Sequence, residues 1–194
     1  MGMTLPVKKL KAQLLEVHEK TGITTFISSG ILNNERVAKK FATTMGELAE
    51  ELSPYGIKIL FHNHDTELHK TKNGEKTLLD VYFENTGDKV GLQLDLGWAA
   101  AGCGNGLSAI RKYADRMQIL HCKDFYHLDG ITCKTAKNTD FAPIGDGVVK
   151  YADGIKLMQE LGIQTDYVVI DQDKAAVNIL DDLSIGIKNL RNML

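Results

Sequence analysis

The sequence predicts an α/β protein with about five βα units around a parallel sheet. Three observations support this. Short β-branched or apolar runs alternate with longer segments of helical period along the chain. The 194 residues, 43% of them hydrophobic, suffice for one sizeable core. No low-complexity tract, charge block or Pro-rich linker interrupts them, and proline occurs only at positions 6, 54 and 143. A single domain over residues 1–194 is therefore expected.

The elements follow in order. Val7 to Thr21 spaces Leu10, Leu14, Leu15 and Val17 along one helical face, and Gly22 supplies a stop. A strand at Ile23 to Ser28 comes next. Asn33 or Asn34 can cap a helix in which Val37, Phe41, Met45, Leu48 and Leu52 recur at three or four, until Pro54 and Gly56 end it. Then come a strand Ile57 to His62, a helix Thr77 to Glu84, a strand Val90 to Asp95, a helix Leu107 to Tyr113 and a strand Met117 to His121. Gly102-Cys103-Gly104-Asn105-Gly106 matches neither common phosphate-loop pattern and is read as a turn capping the helix after it. Asp124 to Gly147 is expected to be a long loop, closed by a tight turn at Gly145-Asp146-Gly147. A helix Val149 to Leu161, a strand Tyr167 to Asp171 and a helix Ala176 to Asn192 complete the pattern.

Composition excludes several functions. The 23 Lys and Arg against 25 Asp and Glu give a net charge of −2, which offers no basic field for nucleic acid. Met1 to Leu5 and Pro6 lead into Lys8, Lys9 and Lys11 without the apolar core of a signal peptide, and the apolar stretches are strand-sized, so no membrane partner is expected. Cys103, Cys122 and Cys133 form neither a disulfide framework nor a CxxC pair, which suits a reducing cytoplasm.

Four successive predicted strands end in an ionisable residue: His62, Asp95, His121 and Asp171. Ligands bind at this C-terminal edge in parallel sheets and barrels. Two imidazoles and two carboxylates form a mixed donor set suited to Mn²⁺, Zn²⁺, Fe²⁺ or Co²⁺. Alternation places Lys123 on the face of His121, Asp173 on the face of Asp171, and Cys122 on the opposite face as a small buried hydrophobe. Lys123 can hold a substrate oxygen or phosphate, or pair with Asp124. Trp98 can wall a sugar pocket or pack beneath a loop.

The segments FHNHDTEL, LQLDLGWAAAG, ILHCKDF, APIGDGVV and YVVIDQD, in this order, resemble the sugar phosphate isomerase/epimerase family, which includes inosose dehydratases and ketose epimerases. The resemblance implies a xylose isomerase-like TIM barrel with a divalent ion (Mn²⁺, Zn²⁺, Co²⁺ or Mg²⁺) at its C-terminal mouth, held by a Glu, an Asp, a His and a second Glu. Asp95 matches the Asp of the family's DxG motif and His121 the His of its HxKD motif. His62 occupies the first Glu position and Asp171 the last, and in epimerases of this fold the two glutamates also act as acid and base. The implied site is thus His62, Asp95, His121 and Asp171 as metal ligands, with His62, Asp171 and Lys123 as catalytic groups. His64, Glu67, Trp98 and Lys123 are the expected substrate contacts. A closed barrel needs about 250 residues. The match begins near the family's fourth strand, so a partial barrel without strands one to three is expected, and its open sheet edges imply a homo-oligomer.

The function implied is a metal-dependent isomerase, epimerase or dehydratase of a sugar, sugar phosphate or polyol. The alternative is a noncatalytic truncated barrel or subunit that keeps metal or sugar binding, because His lacks carboxylate geometry and Asp is one methylene shorter than Glu. An apurinic endonuclease, a third possibility on the same barrel, would need a basic surface that a net charge of −2 does not supply.

Overall fold

The computed structural model describes residues 6–194. Met1–Leu5, part of the stretch read for a signal peptide, lies outside them. The described residues form two compact units, one of residues up to 62 together with 70–91, the other of 63–69 together with 92–194.

The first unit opens with α1 (Val7–Thr21), which ends where Gly22 turns left-handed at φ 74° and returns its N–H to the His18 carbonyl. Next come β1 (Thr25–Ser29), α2 (Glu35–Leu52), β2 (Lys58–His62) and α3 (Leu78–Phe83). The Asn34 side chain caps α2 by accepting the Val37 N–H, and Thr77 and Asp80 close a reciprocal capping box on α3. β1 and β2 pair in parallel from Thr25–Lys58 to Ser29–His62. Ala38, Ala42, Met45, Leu48, Ala49 and Leu52 form the buried stripe of α2. The rings of Phe61 and Tyr82 meet at 4.3 Å, with Phe41 about as far from one as from the other, at 6.2 and 6.1 Å.

The second unit carries most of β3 (Val90–Asp95), then α4 (Leu96–Cys103), α5 (Gly106–Lys112), β4 (Met117–Cys122), β5 (Asp124–Phe125), β6 (Phe141–Ala142), α6 (Tyr151–Glu160), β7 (Tyr167–Ile170) and α7 (Ile179–Met193). β3, β4 and β7 run parallel. Their register sets Asp95 opposite His121 and His121 opposite Val169, so Asp171 projects just past the end of β7. With β1 and β2, the parallel strands among the described residues number five, as expected from the βα count.

Three segments differ from expectation. α4 follows β3 without a loop, because the Asp95 side chain caps it at once. Its Leu96, Gly97, Trp98, Ala99 and Ala100 are all buried, so no polar face marks it as helix. Gly104 ends it in the left-handed region and Asn105 caps α5, which is the turn expected there. The segment from Asp124 to Gly147 is not structureless either. β5 and β6 pair antiparallel at its base, and the buried rings of Phe125 and Phe141 meet at 5.2 Å. α7 starts at Ile179 rather than Ala176 because Asn178 is the residue whose side chain accepts a helix N–H, that of Leu180.

Buried Asp124 closes this excursion. Its Oδ1 accepts the N–H groups of Phe125 and Val149, and its Oδ2 accepts those of Gly145 and Gly147. Burial pushes the carboxyl up from its usual pKa, and the four N–H donors work against that shift. An amide cannot accept at both positions. Asp124→Asn should therefore lower stability by about 2 kcal/mol, read as a shift in the urea midpoint, and an unchanged midpoint would remove this role. Gly97 meets a steric limit of its own, since a Cβ there would lie 1.9 Å from the Lys123 carbonyl oxygen. Gly97→Ala should cost about 3 kcal/mol or more, and a thermal midpoint equal to that of the parent would contradict it.

Candidate metal centre

Asp95, at the end of β3, is fully buried and uses both carboxylate oxygens. Oδ1 accepts the Trp98 N–H at 2.8 Å, and Oδ2 lies 3.0 Å from His121 Nδ1. Its backbone is held from the other side by Asn63, whose amide accepts the Asp95 N–H at 3.0 Å and donates to the Asp95 carbonyl at 3.1 Å. Asn63 thus acts as a short stretch of partner strand. The other ring nitrogen of His121, Nε2, is 3.6 Å from Asp171 Oδ2. Each imidazole nitrogen faces a carboxylate, and the one within hydrogen-bond distance is Asp95, at Nδ1.

Lys123 bridges β4 and β5 and is only 3% exposed. Its Nζ lies 2.8 Å from Asp171 Oδ2 and 2.5 Å from Asp173 Oδ2, and 5.2 Å from the centroid of the Trp98 ring. Burial alone would lower the pKa of this ammonium, but Asp95, Asp171 and Asp173 more than offset it, and the group is held above its usual value. Its peptide is fixed by the Tyr151 hydroxyl, which accepts the Lys123 N–H at 2.7 Å and donates to the Lys123 carbonyl at 2.8 Å.

Of the residues expected at the site, Asp95, His121, Lys123, Asp171 and Trp98 are linked by these contacts. Trp98 is buried under Lys123, its ring 4.9 Å from Phe125 and 6.4 Å from His64. His62 is the half-buried last residue of β2, in the first unit. His64 is half-buried, and its backbone N–H donates to Glu67 Oε2 at 2.6 Å. Glu67 is fully buried and accepts the Thr66 hydroxyl on Oε1, so its carboxylate shapes the turn that carries His64. Cys122 is buried as expected, and burial pushes its thiol far up.

Three contributors escaped sequence reasoning. Asp173 carried a signal, since it shares a face with Asp171. Asn63 carried a weaker one, as an amide between two histidines. Tyr151 carried none, because an aromatic in the first turn of a helix reads as core.

The donor set fits a divalent ion. It combines imidazole nitrogen with carboxylate oxygen, as borderline ions prefer. The 3.0 Å between Asp95 Oδ2 and His121 Nδ1 is about the spacing of neighbouring donors around an ion with bonds of about 2.1 Å. Three carboxylates, Asp95, Asp171 and Asp173, surround a single ammonium, which leaves excess negative charge for a cation to neutralise. No helix among the described residues is long and apolar enough to cross a membrane.

Comparison with known proteins agrees with the five motifs. A family model described as xylose isomerase-like TIM barrel matches residues 9–192. An inosose dehydratase of Yersinia enterocolitica is 29% identical over 162 residues, covering 74% of this chain and 50% of that protein. A sugar phosphate isomerase/epimerase from Parabacteroides distasonis superposes with a TM-score of 0.71 at 20% identity, covering 97% of this chain and 69% of that one. An IolI protein solved with a bound zinc atom gives 0.70 at 16% identity, covering 96% and 68%. The chain spans about half the length of the curated relatives it matches. It has five parallel strands of the barrel and belongs to the xylose isomerase-like TIM barrel family.

Proposed function

We propose that the chain is a metal-dependent isomerase, epimerase or dehydratase of a sugar, sugar phosphate or polyol. The observation that carries this reading is the Asp95–His121 pair, 3.0 Å apart at adjacent strand ends beside the charged group Lys123–Asp171–Asp173. Inosose dehydratase and zinc-bound IolI among the similar proteins support it. Asp95 and His121 hold the ion, with His62 and Asp171 as further donors; Mn²⁺, Zn²⁺, Co²⁺ and Mg²⁺ are the candidates. When bound, the ion supplies Lewis-acid polarisation of a carbonyl and its neighbouring hydroxyl. Asp171, half-buried, accepts the proton from the carbon next to that carbonyl, and the His62 imidazole returns one. Lys123 binds a substrate oxygen or phosphate, with Trp98 as the apolar wall and His64, on the turn that buried Glu67 holds, as a neighbouring contact.

The same reading makes the protein a cytoplasmic homo-oligomer. Free Cys103, Cys122 and Cys133 and the exposed apolar side chains Tyr167, Val177 and Leu180 support it. A second reading, a noncatalytic subunit that keeps metal or sugar binding, is favoured by the carboxylate at position 171, one methylene shorter than the family's usual Glu.

Metal binding is tested by calorimetric titration with Mn²⁺ and Co²⁺. His121→Ala and Asp95→Ala should each weaken binding by about a hundredfold or more, and His62→Ala should weaken it less. No binding by the parent chain, or unchanged binding in both alanine variants, would overturn the assignment. Turnover is tested by incubation with Mn²⁺ and a panel of ketoses, ketose phosphates and keto-inositols in deuterated water, with α-proton exchange followed by NMR. A misplaced proton acceptor costs on the order of a hundredfold in rate per ångström. Slow exchange is therefore expected, accelerated in Asp171→Glu. Rapid exchange by the parent would eliminate the noncatalytic reading, and exchange by neither protein with metal bound would eliminate the enzyme reading.

A further inference from the structure

Lys123 Nζ is shared by two carboxylates that differ in what else they touch. Asp171 Oδ2 lies 2.8 Å from Nζ and 3.6 Å from His121 Nε2, so one oxygen faces both the ammonium and the imidazole. Asp173 Oδ2 lies 2.5 Å from Nζ, and its side chain is 47% exposed. The side chain of Lys123 is 4% exposed and needs a carboxylate partner to remain charged where it is. An ammonium has three donors and no acceptor, so it can keep one carboxylate while releasing another.

We propose that Asp173 is a positioning residue: it anchors Lys123 so that Asp171 is free to turn its carboxylate to a divalent ion held by His121 and Asp95. This rests on the metal-centre reading above and extends it to a residue outside the ligand set. Without the Asp173 carboxylate, Lys123 falls back on Asp171, and ammonium and ion compete for the same oxygen. With Asp173 in place, the ammonium stays compensated, lies over Trp98, and has donors left for a substrate oxygen.

The test is calorimetric titration with Mn²⁺ alone on four full-length proteins: the parent, Asp173→Asn, Lys123→Met and the double variant, each checked for folding by circular dichroism. Asp173→Asn should lose about ten- to hundredfold in affinity. In the Lys123→Met background the same substitution should change affinity by less than about twofold, because no ammonium is left to capture Asp171. With Co²⁺ as the probe, Asp173→Asn should also alter the visible absorption of the bound ion as Asp171 leaves it. A merely structural Asp173 would weaken binding equally in both backgrounds and leave the Co²⁺ spectrum unchanged, and either result overturns the inference while the metal reading stands. A parent chain that binds no Mn²⁺ would overturn both.

Discussion

Removing a lysine ammonium from water costs several kcal/mol unless opposite charge and hydrogen-bond acceptors replace the lost hydration. Lys123 is buried where β4 gives way to β5, and much of the second unit's strand-end architecture compensates that burial. Asp171 and Asp173 supply contact ion pairs and Asp95 a longer-range field. The aromatic faces of Trp98 and Phe141 lie 5.2 and 6.0 Å from Nζ. Both backbone groups of the residue are taken by Tyr151, and Gly97 has no side chain because the Lys123 carbonyl occupies that space.

The carboxylates gathered around one ammonium also create the electrostatic condition for a cation, because there are more of them than Lys123 can neutralise. Structural compensation and candidate chemistry therefore use the same residues. Asp95 shows the economy of this arrangement: one oxygen caps α4, the other faces His121, and Asn63 holds its peptide. A group with so many fixed partners has little freedom to reorient, and preorganised donors of this kind are what a metal site requires.

The excursion between β5 and β6 is tied down by polar groups as well as by its aromatic base. Asp65, from the turn after His64, accepts the Cys133 N–H at 2.8 Å, and Lys174 donates to the Ala136 carbonyl at 2.8 Å. Burial, and then the hydrogen bond to Asp65, push the Cys133 thiol up to about 12, so it stays protonated and poorly nucleophilic at neutral pH. Asp124 gathers the returning chain on three N–H bonds, those of Gly145, Gly147 and Val149, which brings Tyr151 to Lys123.

Local signals sufficed for much of the fold and part of the site. Apolar periodicity, the stop at Gly22, the cap at Asn33 or Asn34 and the capping turn at residues 102–106 located most helices to within a few residues, because all depend on neighbours at most four positions away. The strand-end residues Asp95, His121 and Asp171 were legible because a strand's end and facing direction can be read along the chain. The parts that needed tertiary structure all depend on distant contacts. α4 has no polar face to declare it, and the excursion is closed by a two-residue strand pair too short for any periodicity. The partners that make the site sit far apart in sequence: Asn63 is 32 residues from Asp95, Tyr151 is 28 and Asp173 is 50 from Lys123. Residue type and alternation say that a polar side chain can reach a neighbour, but only the packed chain decides which one it meets.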